Sequence, residues 1–115
     1  MRKELNVVQG RIGEFDSCKY LEKKRYKIIE QNYKNKLGEI DIIAKDKNTI
    51  VFVEVKKRNT LAFGRPSQAV NLQKQRKIRQ VATLYLVKNK LLDNQCRFDV
   101  IEVVGEEINH IENAF

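Results

Sequence analysis

The sequence predicts an α/β domain in which helices flank one mixed β-sheet, with the elements in the order α-β-β-β-α-β-(β). Three observations support this fold class. Runs rich in β-branched residues occupy the centre and the C-terminal part of the chain, and a helical spacing of apolar residues marks positions 67–90. With 42% hydrophobic and 33% charged residues, the composition is that of a folded protein. The 115 residues fit a single domain spanning 1–115.

The first predicted elements are a helix and a strand. Apolar residues recur every three or four positions from about Val8 to Lys24, which predicts a helix. Its two early glycines, at positions 10 and 13, indicate close packing or a frayed first turn, because glycine weakens a helix interior. A strand is predicted over 26–33, and Lys36-Leu37-Gly38 then predicts a turn.

A hairpin follows, in which two β-rich runs, 39–45 and 50–57, are joined by Asp46-Lys47-Asn48-Thr49. If Lys45 pairs with Ile50, Asp41 lies opposite Glu54 and Glu39 lies opposite Lys56. Because side chains alternate between the faces of a strand, these charges share one face with Ile43 and Phe52. The other face is entirely apolar and is predicted to be buried: Ile40, Ile42, Ala44, Val51, Val53 and Val55.

The second predicted helix spans 67–90, after a break at Gly64-Arg65-Pro66 and with a possible interruption near Leu72. Its apolar positions are predicted to pack on the sheet: Val70, Ile78, Val81, Ala82 and Tyr85. Its polar side carries Lys74, Arg76, Lys77 and Arg79. A strand is predicted at 96–104 and a last short one at 110–115, and Asp99 is interpreted as an ion-pair partner of Arg97.

The distribution of charge indicates a polyanionic partner. The net charge is +8, and residues 56–90 hold ten basic side chains and no acidic one. A solvated helix normally mixes both signs, so this run favours nucleic acid, although a generally basic protein is the bland alternative. The acidic segment 38–55, with a net charge of −2, lies between this run and a basic N-terminal segment.

Several classes of protein are excluded by what the chain lacks. No apolar run is long enough to span a membrane and no secretory signal is visible, so we expect a cytoplasmic protein without a membrane partner. Two distant cysteines, Cys18 and Cys96, argue against a sulfur-based metal site. With His110 as the only histidine, to which we assign no catalytic role, triad chemistry is absent, and no phosphate-binding Gly-rich loop is present.

The opposed carboxylates Asp41 and Glu54 are the candidate site. Like charges facing each other destabilise a strand pair, so we expect a cation between them. Mg²⁺ (or Mn²⁺) suits such a site, since it takes one or two protein carboxylates together with water and phosphate oxygens. Lys56 on the same face adds a donor, which completes a site for phosphodiester hydrolysis. Alternatively, Lys56 only neutralises the carboxylates as a cross-strand ion pair.

Two segments carry a family resemblance: Gly38-Glu39-Ile40-Asp41 and Phe52-Val53-Glu54-Val55-Lys56. They resemble the core of PD-(D/E)XK nucleases, particularly the Holliday-junction-resolvase-like branch, with Ile40 in place of the proline. The whole chain resembles the YraN-like family of bacterial proteins. The resemblance implies a restriction-endonuclease-like fold, with Asp41 and Glu54 as metal ligands and Lys56 as the catalytic lysine. It also implies that Glu14, from the first helix, joins the catalytic site as a third metal ligand.

The predicted function is that of a Mg²⁺-dependent nuclease acting on DNA, with branched or structured DNA as one possible substrate. The alternative is a nucleic-acid-binding accessory protein that keeps the nuclease fold with little or no catalysis. The sequence leaves DNA or RNA, and monomer or homodimer, open. The residues expected to contact nucleic acid are basic and follow the site along the chain: Lys57, Arg58, Lys74, Arg76, Lys77 and Arg79.

Overall fold

The protein folds around one five-stranded sheet, in a computed structural model that describes residues 16–58 and 70–115. The elements are α1 (residues 16–23 of the first helix), β1 (Lys27–Asn35), β2 (Gly38–Asp46), β3 (Thr49–Arg58), α2 (Leu72–Lys88), β4 (Cys96–Val104) and β5 (Glu107–Ile111). The strands lie side by side in chain order; β3 and β4 are parallel, and all other neighbours are antiparallel. This confirms the predicted α/β class and the order α-β-β-β-α-β-β. Neither described helix has the length and apolar character that a bilayer span requires.

Helices pack on both faces of the sheet. One of them, α2, is the crossover that the parallel pair β3 and β4 requires. On one face, α2 packs its predicted apolar stripe, including Ile78 and Tyr85, against Phe52. On the other face, Leu21 of α1 packs in a second cluster with Val53. The two clusters therefore use alternate residues of β3, and this fixes which side chains of β3 point towards α2.

The predicted hairpin register is confirmed from its turn as far as the pair Ile42–Val53. The ladder ends there, so Asp41 and Glu54 are not the ladder partners that the alternation predicts, and the predicted pairing of Glu39 with Lys56 is also wrong. The cause is local: the Asp41 carboxylate accepts a hydrogen bond from the backbone N–H of Val55, at 2.8 Å. Ile40 consequently packs in the α2 cluster rather than beside Ile42, contrary to the prediction.

Element boundaries differ from the predictions where turns and caps decide them. β1 continues to Asn35 because Asn35 pairs with Gly38 across a two-residue turn. α2 begins at Leu72 because Asn71 is its N-cap: the side chain of Asn71 accepts a hydrogen bond from the backbone N–H of Lys74. Residues 67–69 of the predicted helix lie outside the described ranges. The last strand was expected at 110–115 but spans Glu107–Ile111, because Gly105, at a φ of +59°, permits a tight turn.

Candidate functional site

Asp41 and Glu54 line one pocket of about 400 Å³ between the sheet and α2. Its wall next to the helix is apolar and includes Ile78 and Val81. The ionisable side chains come from β1, β2, β3 and α2: Lys34, Glu39, Asp41, Glu54, Lys74 and Lys77. The pocket therefore combines three acidic and three basic groups in a small volume, which is typical of a site that binds charged ligands.

Gly38 brings the strand that carries Asp41 close to the helix that carries Lys74. Its φ of +148° is one that side chains rarely adopt, and a Cβ at this position would lie 3.1 Å from Cγ2 of Val81. Any larger residue would strain the backbone and push against α2. Glycine at this position therefore allows β2 and α2 to lie this close together.

The orientation of the Asp41 carboxylate is fixed by the backbone of β3. Its Oδ2 accepts the hydrogen bond from the N–H of Val55, the residue directly after Glu54. Asp41 is half-buried, so this bond is partly shielded from water. The bond couples the positions of the two carboxylates, because Asp41 is held by the same stretch of chain that presents Glu54.

Glu54 is 6% exposed and is stabilised by lysines. The Nζ of Lys74 lies 2.9 Å from Oε1 of Glu54, and the Nζ of Lys56 lies 3.8 Å from the same oxygen. A buried carboxylate is costly unless it is paired, so these contacts compensate for its desolvation. Burial lowers the pKa of Lys74, but the hydrogen bond to Glu54 and the charges of Glu54, Asp41 and Glu39 outweigh it, so the pKa is raised. The carboxylates thus attract a cation, and in this structure that cation is an ammonium group.

The predicted nucleic-acid contacts fall into two groups. Lys74 and Lys77 line the pocket, and Lys56 lies on the α2 side of the sheet with Glu54. Lys57 lies on the opposite side of the sheet, because it alternates with Lys56 along β3. Arg58 is the last residue of β3, and Glu14 lies outside the described residues.

The two arginines of α2 are not part of the pocket lining. Arg76 is exposed. The guanidinium of Arg79 lies over the rings of Phe98 and Phe115, 4.9 Å and 5.6 Å from their centroids. In these cation–π contacts, the guanidinium of Arg79 packs on the two rings. The structure therefore brings Lys74 and Lys77 to the candidate site and leaves Arg76, Arg79 and Lys57 outside it.

The donor set fits a divalent cation that prefers oxygen. Within residues 16–58 and 70–115, no group of three or more His, Cys, Asp or Glu side chains is arranged to hold a metal. Mg²⁺ needs only one or two protein carboxylates, because water and phosphate oxygens supply its other ligands. Asp41 and Glu54 provide two such carboxylates in a pocket that already attracts an ammonium group. Glu14, by the resemblance, would be a third.

A second charged cluster lies on the α1 side of the sheet. Asp99 is fully buried, and its carboxylate accepts hydrogen bonds from Nε and Nη2 of Arg97 at 2.9 and 3.0 Å. It also accepts one from the backbone N–H of Asn113 at 3.1 Å, and Nε2 of His110 lies 2.7 Å from it. The predicted ion pair of Asp99 with Arg97 is confirmed. Burial opposes ionisation of Asp99, but these hydrogen bonds and the Arg97 charge lower its pKa. Burial also raises the pKa of Tyr26, which bonds to Arg97, to about 12.

Two features of the pocket were missed by the sequence analysis. Lys34 lines it beside its cross-strand partner Glu39, whereas the sequence placed only Glu39 on the charged face of the hairpin. The two-residue turn at 36–37 could have revealed that pairing, because it places 34 opposite 39 by the same register reasoning as in the second hairpin. The contact of Lys74 with Glu54 had no such signal, since it depends on how α2 crosses the sheet.

A family profile and several nearly full-length relatives match the chain to the same family. The sequence profile described as Uncharacterised protein family UPF0102 matches residues 13–103. The chain is 48% identical, over the full length of both proteins, to a UPF0102 protein of Caldanaerobacter subterraneus. It is 51% identical to one of Alkaliphilus oremlandii, covering 96% of this chain and 100% of that relative. A UPF0102 protein of Clostridioides difficile is 49% identical, with 96% and 98% covered.

Proposed function

The chain belongs to the UPF0102 family, which confirms its resemblance to the YraN-like family, and we propose that it is a metal-dependent nuclease that hydrolyses phosphodiester bonds in DNA. One observation carries the proposal: Asp41 and Glu54 line a single pocket with lysines from two other elements. A pure binding surface for a polyanion would gain nothing from carboxylates at its centre. Carboxylates surrounded by lysines suit a site that holds a cation and a phosphate together.

Asp41 and Glu54, with Glu14 by resemblance, would hold Mg²⁺ or Mn²⁺. When bound, the metal supplies Lewis-acid polarisation of the phosphate and a water that ionises more easily. The backbone bond from Val55 orients Asp41 for this role before any ligand arrives. Such preorganisation lowers the cost of assembling the site.

Lys56 is the proposed catalytic lysine. Its Nζ lies 3.8 Å from Glu54, and its side chain is 29% exposed, so it can reach both the carboxylate and a bound phosphate. Its charge opposes the negative charge that develops at phosphorus, so it stabilises the transition state more than the bound substrate. Lys34 and Lys77, which also line the pocket, would bind the flanking phosphates.

Lys56→Ala tests this role. We expect it to keep metal and DNA binding close to wild type and to lower single-turnover cleavage by about 10²–10³-fold, the cost of removing one preorganised charge donor. Asp41→Asn and Glu54→Gln should instead weaken Mn²⁺ binding in calorimetric titrations. Lys27→Ala, which removes an exposed lysine at the far end of β1, is the control and should match wild type.

The substrate panel should contain linear duplexes, flaps and four-way junctions, each with Mg²⁺ and with Mn²⁺. Cleavage of at least one substrate that is lost in Lys56→Ala supports the proposal. If the wild type binds DNA but cleaves none of them, the accessory-protein alternative replaces it. If Lys56→Ala cleaves as fast as wild type, Lys56 is only a counter-ion of Glu54.

A further inference from the structure

Lys74 and the proposed metal compete for the same carboxylate. The Lys74 ammonium lies 2.9 Å from Oε1 of Glu54 and is the nearer of the two lysines that contact this oxygen. A divalent ion bound by Glu54 would bring two positive charges to within a few ångströms of that ammonium. Because like charges repel strongly where water is largely excluded, both cations cannot keep close contact with Glu54.

On the basis of the proposed function, we propose that Lys74 is an internal counter-ion that the metal displaces from Glu54, and that the released ammonium then binds a substrate phosphate. Before metal binds, Lys74 compensates the buried charge of Glu54. Once the metal has taken over that task, Lys74 becomes available to the polyanion. Metal binding and substrate binding are thereby coupled through one side chain.

Lys74 can move, whereas Glu54 cannot. The Lys74 side chain is 47% exposed and that of Glu54 is 7% exposed. A long lysine side chain can turn its ammonium group into water while its stem stays on the protein surface. The backbone of Lys74 is held in place, since its N–H donates to the N-cap residue Asn71 at 2.9 Å. Displacement therefore requires a change of side-chain rotamer and no movement of α2.

Lys56 is the less suitable candidate for displacement. Its ammonium is farther from Glu54, at 3.8 Å, and its side chain is less exposed, at 29%. Lys74 also extends from the helix on the opposite side of the pocket, next to Lys77. Lys74 and Lys77 are neighbours on the surface of α2, being three residues apart, so after release both ammonium groups could reach the same stretch of phosphate backbone.

The first test measures Mn²⁺ affinity by calorimetry for wild type, Lys74→Met and Lys77→Met. Removing the competing ammonium should tighten Mn²⁺ binding by about tenfold in Lys74→Met, which corresponds to about 1.4 kcal/mol. Lys77→Met removes the same charge from the same pocket without breaking a contact to Glu54, so its affinity should change by less than about twofold. Lys74→Gln, which keeps a hydrogen-bond donor, is the second variant if Lys74→Met does not fold.

The second test measures the salt dependence of DNA binding in EDTA and in Ca²⁺, a divalent cation that prefers oxygen ligands and is larger than Mg²⁺. In Ca²⁺, Lys74→Met should lower the slope of log K against log salt by about 0.9, the value of one phosphate contact on duplex DNA. In EDTA, its slope should equal that of wild type, because Glu54 then holds Lys74 away from phosphate.

The outcomes separate this inference from the nuclease proposal. If wild type binds Mn²⁺ and Lys74→Met binds it with equal affinity, displacement is refuted and the metal site stands. Equal loss of slope in EDTA and in Ca²⁺ also refutes displacement, since Lys74 would then be a permanent phosphate contact. If neither wild type nor Lys74→Met binds Mn²⁺, the metal site is refuted, and the displacement with it.

Discussion

Asp99→Asn should be among the most destabilising single-atom changes in this protein. The carboxylate is fully buried, and the substitution removes its charge while keeping its size. It leaves the Arg97 guanidinium, whose side chain is 14% exposed, without its closest anion. In either orientation of the new amide, its N–H₂ group also faces an N–H donor of Arg97.

The expected cost is at the low end of the range for buried pairs. Removing one partner of a buried ion pair costs about 3–5 kcal/mol, because the other charge is left uncompensated. Arg97 retains Asp46 at 3.2 Å and the Tyr26 hydroxyl at 2.7 Å, so we expect about 3 kcal/mol for the whole change. For a chain of this length, that corresponds to a fall in Tm of about 12 °C.

Urea unfolding followed by circular dichroism measures this cost, with Asp93→Asn as the control. Asp93 is exposed, so its substitution should stay within about 0.5 kcal/mol of wild type. A loss below 1 kcal/mol for Asp99→Asn would refute the reasoning, because the cluster would then contribute little beyond its packing.

The same comparison has a defined pH dependence. The folded pKa of Asp99 is lowered, so ionised Asp99 contributes stability that is fully present above its unfolded pKa of about 3.9. That contribution is lost as the pH falls towards the folded pKa. The difference between wild type and Asp99→Asn should therefore be largest near pH 7 and should shrink below about pH 4. A constant difference from pH 7 to pH 2 would assign the cost to packing.

Two further predictions concern a glycine and the cysteines. Gly38→Ala should lower stability by more than about 1 kcal/mol in urea unfolding and weaken Mn²⁺ binding, because it strains the backbone and pushes α2 from β2. Gly105→Ala is the control: Gly105 has a φ of +59° and no atom near an added Cβ, so this change should lower stability without weakening Mn²⁺ binding. Equal Mn²⁺ affinities in the two variants would contradict the role of Gly38 in the pocket. Exposed Cys96 should react quickly with a thiol reagent and buried Cys18 only after unfolding, so two fast thiols would contradict the burial of α1.

The sequence predicted the parts of the fold that depend on local periodicity. The period-two pattern and a short turn gave the hairpin register, and the helical spacing gave the buried side of α2. The predicted register is wrong beyond the pair Ile42–Val53, where the Asp41 carboxylate accepts the bond from Val55 N–H that a backbone carbonyl would accept in a regular ladder. Alternation assumes that only backbone groups join two strands. The position of β5 was missed because one glycine in a tight turn sets it.

The candidate site was predictable only in part, for a related reason. The proximity of Asp41 and Glu54 followed from one hairpin, which is local in the chain. Lys74 is twenty residues beyond Glu54 and was interpreted as an outward-facing contact for nucleic acid. Its bond to Glu54 depends on the crossing of α2 over the sheet, and on a glycine at position 38 that lets the helix approach. No periodicity encodes such a contact.

Asp99 and Glu54 are both buried in the sheet, but their counter-ions differ in how easily they can be replaced. Asp99 is neutralised by Arg97, a planar cation that bonds it through two nitrogens and is itself packed between Tyr26 and Asp46. An arginine held in this way cannot turn away without breaking several bonds at once. Glu54 is neutralised by Lys74, a flexible and half-exposed chain with a single contact to it. Both carboxylates are buried and paired, but only the partner of Glu54 can be exchanged for another cation at low cost. That exchangeability, more than the presence of buried charge, is why we propose the metal site on the α2 side of the sheet.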